Sequence, residues 1–290
     1  MGIGEGFALA SALVWAMAVI LLKRSGDTMG PFALNLFKHS LAVLLLIPTI
    51  WFCAGPFPRM ETTELWLTMI SGFLGIALAD YCYLTALNLI GAGRTGIVSS
   101  LYSPCMIVLS YLFLDERLSL VQMGGFAAVM GGVLLVSRGS DTGMPPGQLR
   151  RGVALAALAV VLMALGIVMV KRILETHDFL WVVEIRLVAG TAGLLLMMIL
   201  SGRTRRVLAQ YREPHHWGQV ITASVFSAYF ATMLWLAGYK YAMASVASVL
   251  NETAGIFILI MATLFLREVM TLRKAGGVAL TFFGVVLMVL

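Results

Sequence analysis

The chain has 290 residues, 60% of them hydrophobic and only 12% charged, with a formal net charge of +6. Its mean hydropathy of +0.96 lies far above that of a water-soluble domain, which excludes a soluble globular fold and implies a membrane protein. The basic balance does not point to nucleic acid, because Lys and Arg sit in loops flanking apolar runs, where lipid headgroups and topology account for them.

Apolar runs approaching the roughly 20 residues that cross a hydrocarbon layer predict ten helices. They fall near residues 3–22, 32–53, 65–90, 95–114, 120–136, 153–170, 179–200, 217–239, 244–266 and 272–290. The first run has no basic stretch before it, and its small-residue triplet Ala10–Ala12 comes too early for a cleavage site, so it reads as a retained helix. The interruptions "KRSGDTMGP", "SRGSDTGMPPGQLRR" and "SGRTRRVLAQYREPHH" are short and carry Gly, Pro and most of the charge, leaving no room for a soluble domain. Cys53, Cys82 and Cys105 fall within predicted helices, and neither they nor His39, His177, His215 and His216 have disulfide or metal spacing; no metal and no resident cofactor are expected.

Self-comparison divides the chain in two. Leu112–Leu135 lies over Leu264–Leu287 at an offset of 152, with 11 of 24 positions identical and no gap. A weaker echo at 148 places Lys23 and Arg24 on Lys171 and Arg172, and Lys38 on Arg186. The expected organisation is a five-helix repeat over 1–138, a linker over 139–151 and a second repeat over 152–290. Five is odd, so the second copy enters the bilayer from the opposite side, the inverted arrangement used by carriers that work by alternating access.

The stretch Tyr83–Val136 carries an Ala-Leu pair ending one helix, Pro104 within the next, Leu-x-Glu at the following turn and a Gly-rich final helix. In these marks it resembles an EamA domain of the drug/metabolite transporter superfamily; residues 235–288 match less fully, with Ile256 in place of Pro104. The resemblance implies an all-α polytopic carrier whose fourth and ninth helices line a central cavity, with a substrate among amino acids, nucleotide sugars, drugs and other metabolites. One branch is set apart: the small multidrug-resistance members carry a glutamate in mid-helix 1, where this chain has Trp15.

Ionisable residues within spans cost roughly 2.5 to 3.5 kcal/mol each on insertion scales and are functional candidates by default. Here they are Lys38 and His39 in helix 2, Asp80 in helix 3, Glu184 and Arg186 in helix 7, and Glu252 beside Asn251 in helix 9. At 1.5 Å per residue, Lys38 and Asp80 lie about 10 to 12 Å below one membrane face, and Glu184, Arg186 and Glu252 about 8 to 12 Å below the other. The pairs expected are Lys38 with Asp80 and Arg186 with Glu184 or Glu252, as gates or as helix-to-helix ties. Glu252 and Asn251 align with Ser100 and Ser99, and Tyr102, Trp15 and Trp235 are aromatic candidates for the cavity wall, so all seven are expected substrate contacts.

Gly125 and Gly132, matched by Gly277 and Gly284, recur every seven residues and predict close packing of helices 5 and 10. Ser103-Pro104, matched by Gly255-Ile256, is expected to weaken each cavity helix. Glu116 and Glu268 sit in short turns where capping or loop ion pairs outrank catalysis. Leaving out Lys38 and Arg186, the loops on one side carry 13 Lys and Arg and the side of the termini 5, which by the positive-inside rule places both termini outside the cell. The reading is a bacterial inner-membrane secondary carrier, monomeric or homodimeric, exporting a small polar or amphipathic metabolite with possible proton coupling. A lipid-headgroup flippase or a non-transporting scaffold is the alternative; an enzyme lacks a His-acid pair or ligand spacing to work with.

Overall fold

The computed structural model describes residues 2–26, 29–137, 145–213, 216–266 and 272–290; of the expected linker, 139–144 lie outside this range, as does Glu268. The described residues are helical, with no strand among them. The first half comprises α1 (Ile3–Gly26), α2 (Pro31–Cys53), α3 (Thr62–Gly72), α4 (Asp80–Ser99), α5 (Tyr102–Phe113) and α6 (Leu120–Ser137). The second comprises α7 (Pro146–Thr176), α8 (Phe179–Leu200), α9 (Thr204–Gln210), α10 (Trp217–Ser224), α11 (Thr232–Tyr241), α12 (Ala244–Asn251), α13 (Ala254–Leu266) and α14 (Leu272–Val289). Two π-helical segments, Phe73–Ala79 between α3 and α4 and Val225–Ala231 between α10 and α11, stand at the repeat offset of 152 and had no signal in the sequence.

Five helical rods are long and apolar enough to cross a bilayer: Pro31–Cys53, Thr62–Ile90, Pro146–Thr176, Phe179–Leu200 and Trp217–Tyr241. Five shorter apolar helical stretches, from Ile3, Tyr102, Leu120, Ala244 and Ala275, occupy the other expected positions. Helix starts follow local chemistry. Pro31 and Pro146 open α2 and α7, where a missing N–H costs nothing. Glu61 and Glu64 form a capping box on α3, and Asp178 accepts from the amides of Leu180 and Trp181 at the head of α8.

The expected fourth and ninth helices differ from the uninterrupted rods anticipated. The backbone stays helical through the expected loop at 91–94 as far as Ser99, breaks at Ser100–Leu101 and resumes as α5. The ninth splits at Glu252–Thr253 into α12 and α13. The breaks correspond at the offset of 152: Leu101 N–H donates to Val98 O at 3.1 Å, and Thr253 N–H to Leu250 O at 3.2 Å. Pro104 is therefore not the weak point itself; it lies in the first turn of α5, just after the break.

In a bilayer, lipid tails are as apolar as Leu, so helix association relies on close packing of small residues. Gly4, Ala8, Ala12 and Ala16 form such a stripe at four-residue spacing on α1, all buried. A Cβ on Gly4 would lie 2.4 Å from the Tyr241 carbonyl carbon, and one on Gly238 3.2 Å from Ala8 N, so α1 and α11 run nearly backbone to backbone. The α6 and α14 pair is closer than ordinary side-chain packing allows. A Cβ on Gly125 would stand 2.9 Å from Gly284 O, and one on Gly132 2.6 Å from Gly277 O, as the glycine register predicted.

At the end of the bundle holding the start of α1, one helix cap joins the two halves. Asp115, at φ 58°, turns the chain after α5, and the Glu116 carboxylate accepts from Ala244 N (2.7 Å), Ser245 N (2.9 Å) and Ser245 Oγ (2.7 Å). Two open amides at the start of α12 are thereby satisfied by a charge of the favourable sign. Beside this cap a cavity of about 490 Å³ is lined by Glu5, Glu116, Lys171, Arg172, Glu175 and Lys240. Glu116→Ala is expected to lower stability by about 1 to 2 kcal/mol, with Glu116→Gln recovering part of it. An unchanged melting temperature of the alanine variant in detergent would show that α12 does not need the cap.

Candidate functional site

Two polar centres occupy the bundle. The first joins α2 to the start of α4, where the π-helical turn Phe73–Ala79 hands over to Asp80. Lys38 Nζ donates to Asp80 Oδ2 at 2.9 Å, and His39 Nε2 meets the same oxygen at 3.0 Å. Lys38 and His39 are buried, at 6% and 4% exposure, so the expected Lys38–Asp80 pair is present and His39 completes it. Removing one member of a buried pair leaves the other charge uncompensated. Asp80→Asn is therefore expected to cost about 2 kcal/mol, discounted because Asp80 is partly accessible. Chemical denaturation in detergent reads this, and a variant as stable as the parent would mean that Lys38 reaches solvent.

The second centre lies where α5, α11 and α12 meet. Asn251 and Glu252 close α12, and side-chain donors add to the carbonyls of its last turn. Asn251 Nδ2 donates to Ala247 O at 2.9 Å and Thr253 Oγ1 to Leu250 O at 2.7 Å. The Glu252 carboxylate, half-buried, accepts from Ser103 Oγ at 2.8 Å, and that hydroxyl also lies 3.3 Å from Ser248 O. Tyr102 and Tyr239 share a hydrogen bond of 2.8 Å between their hydroxyls. The Asn251 side chain also interacts with the Tyr239 hydroxyl, and Trp235 packs edge-on against the Tyr239 ring at 5.2 Å.

Of the expected substrate contacts, Glu252, Asn251, Tyr102 and Trp235 are thus gathered around Tyr239. Trp15 is half-buried on α1, which packs against α12 and α13. The hydroxyl of Ser99 is enclosed without a hydrogen bond, and Ser100 is buried at the break. Ser103, in the first turn after the break, is the serine that reaches Glu252.

The expected pairing of Arg186 with Glu184 or Glu252 is not formed. Arg186 Nη1 donates to Ser71 Oγ and, at 3.3 Å, to Gly166 O. The reason is the crossing of α3 and α8: a Cβ on Gly72 would lie 2.2 Å from Arg186 O, so the helices touch at this residue and its side chain turns to the neighbouring Ser71. Glu184 is buried with Oε2 unpartnered. Sequence reasoning missed Tyr239, Ser71 and Gly166; the sequence places Tyr239 on the face of Trp235 at four-residue spacing, the one signal that could have found it.

Contrary to the expectation from the sequence, a His-acid pair is present, His39 Nε2 with Asp80 Oδ2, on the carboxylate that also holds Lys38; among the described residues no cluster of His, Cys, Asp and Glu could hold a metal ion. Two interrupted helices presenting a carboxylate, an amide and phenolic hydroxyls inside an apolar bundle are what membrane carriers build. The EamA-like transporter family model matches residues 2–138 and again 150–290, and the chain belongs to that family. It is a multi-pass membrane protein of transporter type. An uncharacterized transporter of Archaeoglobus fulgidus is 24% identical over 279 residues, covering 95% of this chain and 94% of the relative. The uncharacterized transporters YetK and YvbV of Bacillus subtilis are 21% and 25% identical over 290 and 271 residues, covering 98% and 92% of this chain and 86% and 83% of theirs. A crystal structure with 18% identity superposes with a TM-score of 0.80 over 98% of this chain and 95% of that one, a likeness of fold.

Proposed function

We propose that the chain is a secondary carrier that moves a small polar or amphipathic metabolite, most simply outward, by alternating access. The observation carrying this is the pair of matched helix breaks, Ser100–Leu101 and Glu252–Thr253, whose flanking segments meet through Ser103 and Glu252 at 2.8 Å. Broken helices place polar backbone and a carboxylate at a repeat interface, where rocking one half against the other exposes the site to either side in turn. In this reading ten spans form two inverted repeats of five, divided near residues 139–151, in an inner membrane with both termini outside. Glu252 takes either a proton or a cationic group of the substrate, Asn251 and the two tyrosines supply orientation, and the Lys38–His39–Asp80 centre ties or gates the opposite half.

Uptake and efflux in proteoliposomes, against a panel of amines, amino acids and neutral metabolites with and without a pH gradient, tests it. Saturable exchange of at least one compound is expected. Lipid scrambling without solute movement would replace the carrier by a flippase, and neither activity would leave a scaffold.

A further inference from the structure

Two lysines and one arginine are buried among the described residues, and both lysines have a counter-ion: Lys38 has Asp80, and Lys171 has Glu175. Arg186, at 3% exposure, has none; both its hydrogen bonds run from Nη1 to neutral acceptors, Ser71 Oγ and Gly166 O. Nε is buried without a partner, and Nη2 makes no hydrogen bond among the described residues. Those two nitrogens form the side of the guanidinium whose parallel N–H groups fit two oxygens of one carboxylate or phosphate.

The neighbour of Nη2 across the π-helical turn is a glycine. Gly75, in the π-helical turn, has no side chain, and a Cβ there would come into contact with Nη2 at 3.5 Å. Tyr102, whose hydroxyl is tied to Tyr239, lies within electrostatic reach of both Arg186 and Glu252, which couples the guanidinium to the centre at the helix breaks without direct contact. A guanidinium fixed in an apolar interior by neutral groups alone is incompletely compensated, and an incoming anion would complete it.

We propose that the Nε/Nη2 edge of Arg186 is an anion subsite, binding a carboxylate or phosphate group of the transported metabolite while Ser71 and Gly166 hold the guanidinium in place. The inference rests on reading the helix-break centre as the substrate site and adds a chemical class to it: the substrate carries a two-oxygen anionic group.

The test uses the full-length chain in detergent and needs no transport. Benzoate and phenyl phosphate are compared with neutral benzyl alcohol, reading both tryptophan fluorescence and the rate at which phenylglyoxal labels Arg186, located by peptide mass spectrometry. The two anions are expected to bind and to slow labelling of Arg186, with no effect of benzyl alcohol. Arg186→Lys, which keeps charge but loses the fork, is expected to weaken benzoate binding about tenfold, and Arg186→Gln about a hundredfold. Because the labelling arm is run on the unmutated chain, it decides the matter even where a variant fails to fold. Absence of protection by either anion, or equal benzoate affinity in Arg186→Gln, overturns the proposal. Protection conferred only on moving the chain from phosphatidylcholine to phosphatidylglycerol nanodiscs also overturns it, by assigning the site to a lipid headgroup. Anion binding without any transported solute would count against the carrier reading alone.

Discussion

Glu252→Gln is expected to leave the folded protein intact and to reduce transport at least about tenfold, or to remove its dependence on a pH gradient. The amide keeps the shape of the carboxylate, and its oxygen still accepts from Ser103 Oγ, 2.8 Å away in the parent. What it cannot do is carry a charge or exchange a proton. A carboxylate in hydrocarbon persists by taking a proton, pairing with a cation or facing water, and Glu252 has no basic partner among the described residues. Ser103 supplies its hydrogen bonds, through a neutral hydroxyl and the backbone, and in the proposed mechanism the cation is a group of the substrate. A charge-assisted hydrogen bond contributes about 1.5 to 3 kcal/mol, which corresponds to the tenfold or greater effect. Flux and thermal stability measured on the same preparation separate the outcomes: a variant that transports normally with unchanged pH response reduces Glu252 to a structural contact of α5 and moves the search to Lys38, His39 and Asp80. Asn251→Ala is expected to weaken substrate affinity with less effect on coupling, since the amide orients and does not titrate.

Gly132→Leu or Gly284→Leu should prevent the α6–α14 contact from closing. At Gly132 the first carbon of any side chain would stand 2.2 Å from Thr281 Oγ1 and 2.6 Å from Gly277 O; at Gly284 it would stand 2.6 Å from Val129 N and 2.7 Å from Gly125 O. Three of these four atoms are backbone, so no rotamer change relieves the clash and the helices must separate. Separation removes the dispersion contacts that hold a helix pair together in lipid, and about 3 kcal/mol or more of stability is expected to go with it. Gly124→Leu and Gly276→Leu are the controls, because a Cβ at either position meets nothing within 4 Å. A melting temperature in detergent that falls equally in all four variants would show that the loss does not come from the α6–α14 interface, since leucine is the better helix former at every one of these positions.

Some of this molecule was legible without coordinates, because it depends on properties local to a segment. Apolar run length set the class of protein and the rough placing of most helices, though not the breaks at Ser100–Leu101 and Glu252–Thr253, and self-similarity at 152 residues pointed to the repeat. Glycines seven apart at Gly125 and Gly132 lie on one helix face whatever surrounds them, so the α6–α14 contact could be anticipated. The Lys38–Asp80 pair was within reach for a similar reason: two opposite charges at one depth, in helices two and three of the same repeat, have few alternatives.

Arg186, Glu252 and Glu116 were not decided in that way. Depth alone put Arg186 beside Glu252, but depth fixes one coordinate and leaves the angle around each helix free. That angle is set by where helices touch, and the touch of Gly72 on Arg186 turned the guanidinium to Ser71 and Gly166. Glu252 found Ser103, and Glu116 found the start of α12, because α5 and its following turn pack against a helix more than a hundred residues further along. Hydropathy and periodicity determined which residues are buried in the membrane; which buried polar groups meet, and which side of a guanidinium is left without a partner, followed only from the packing of distant segments.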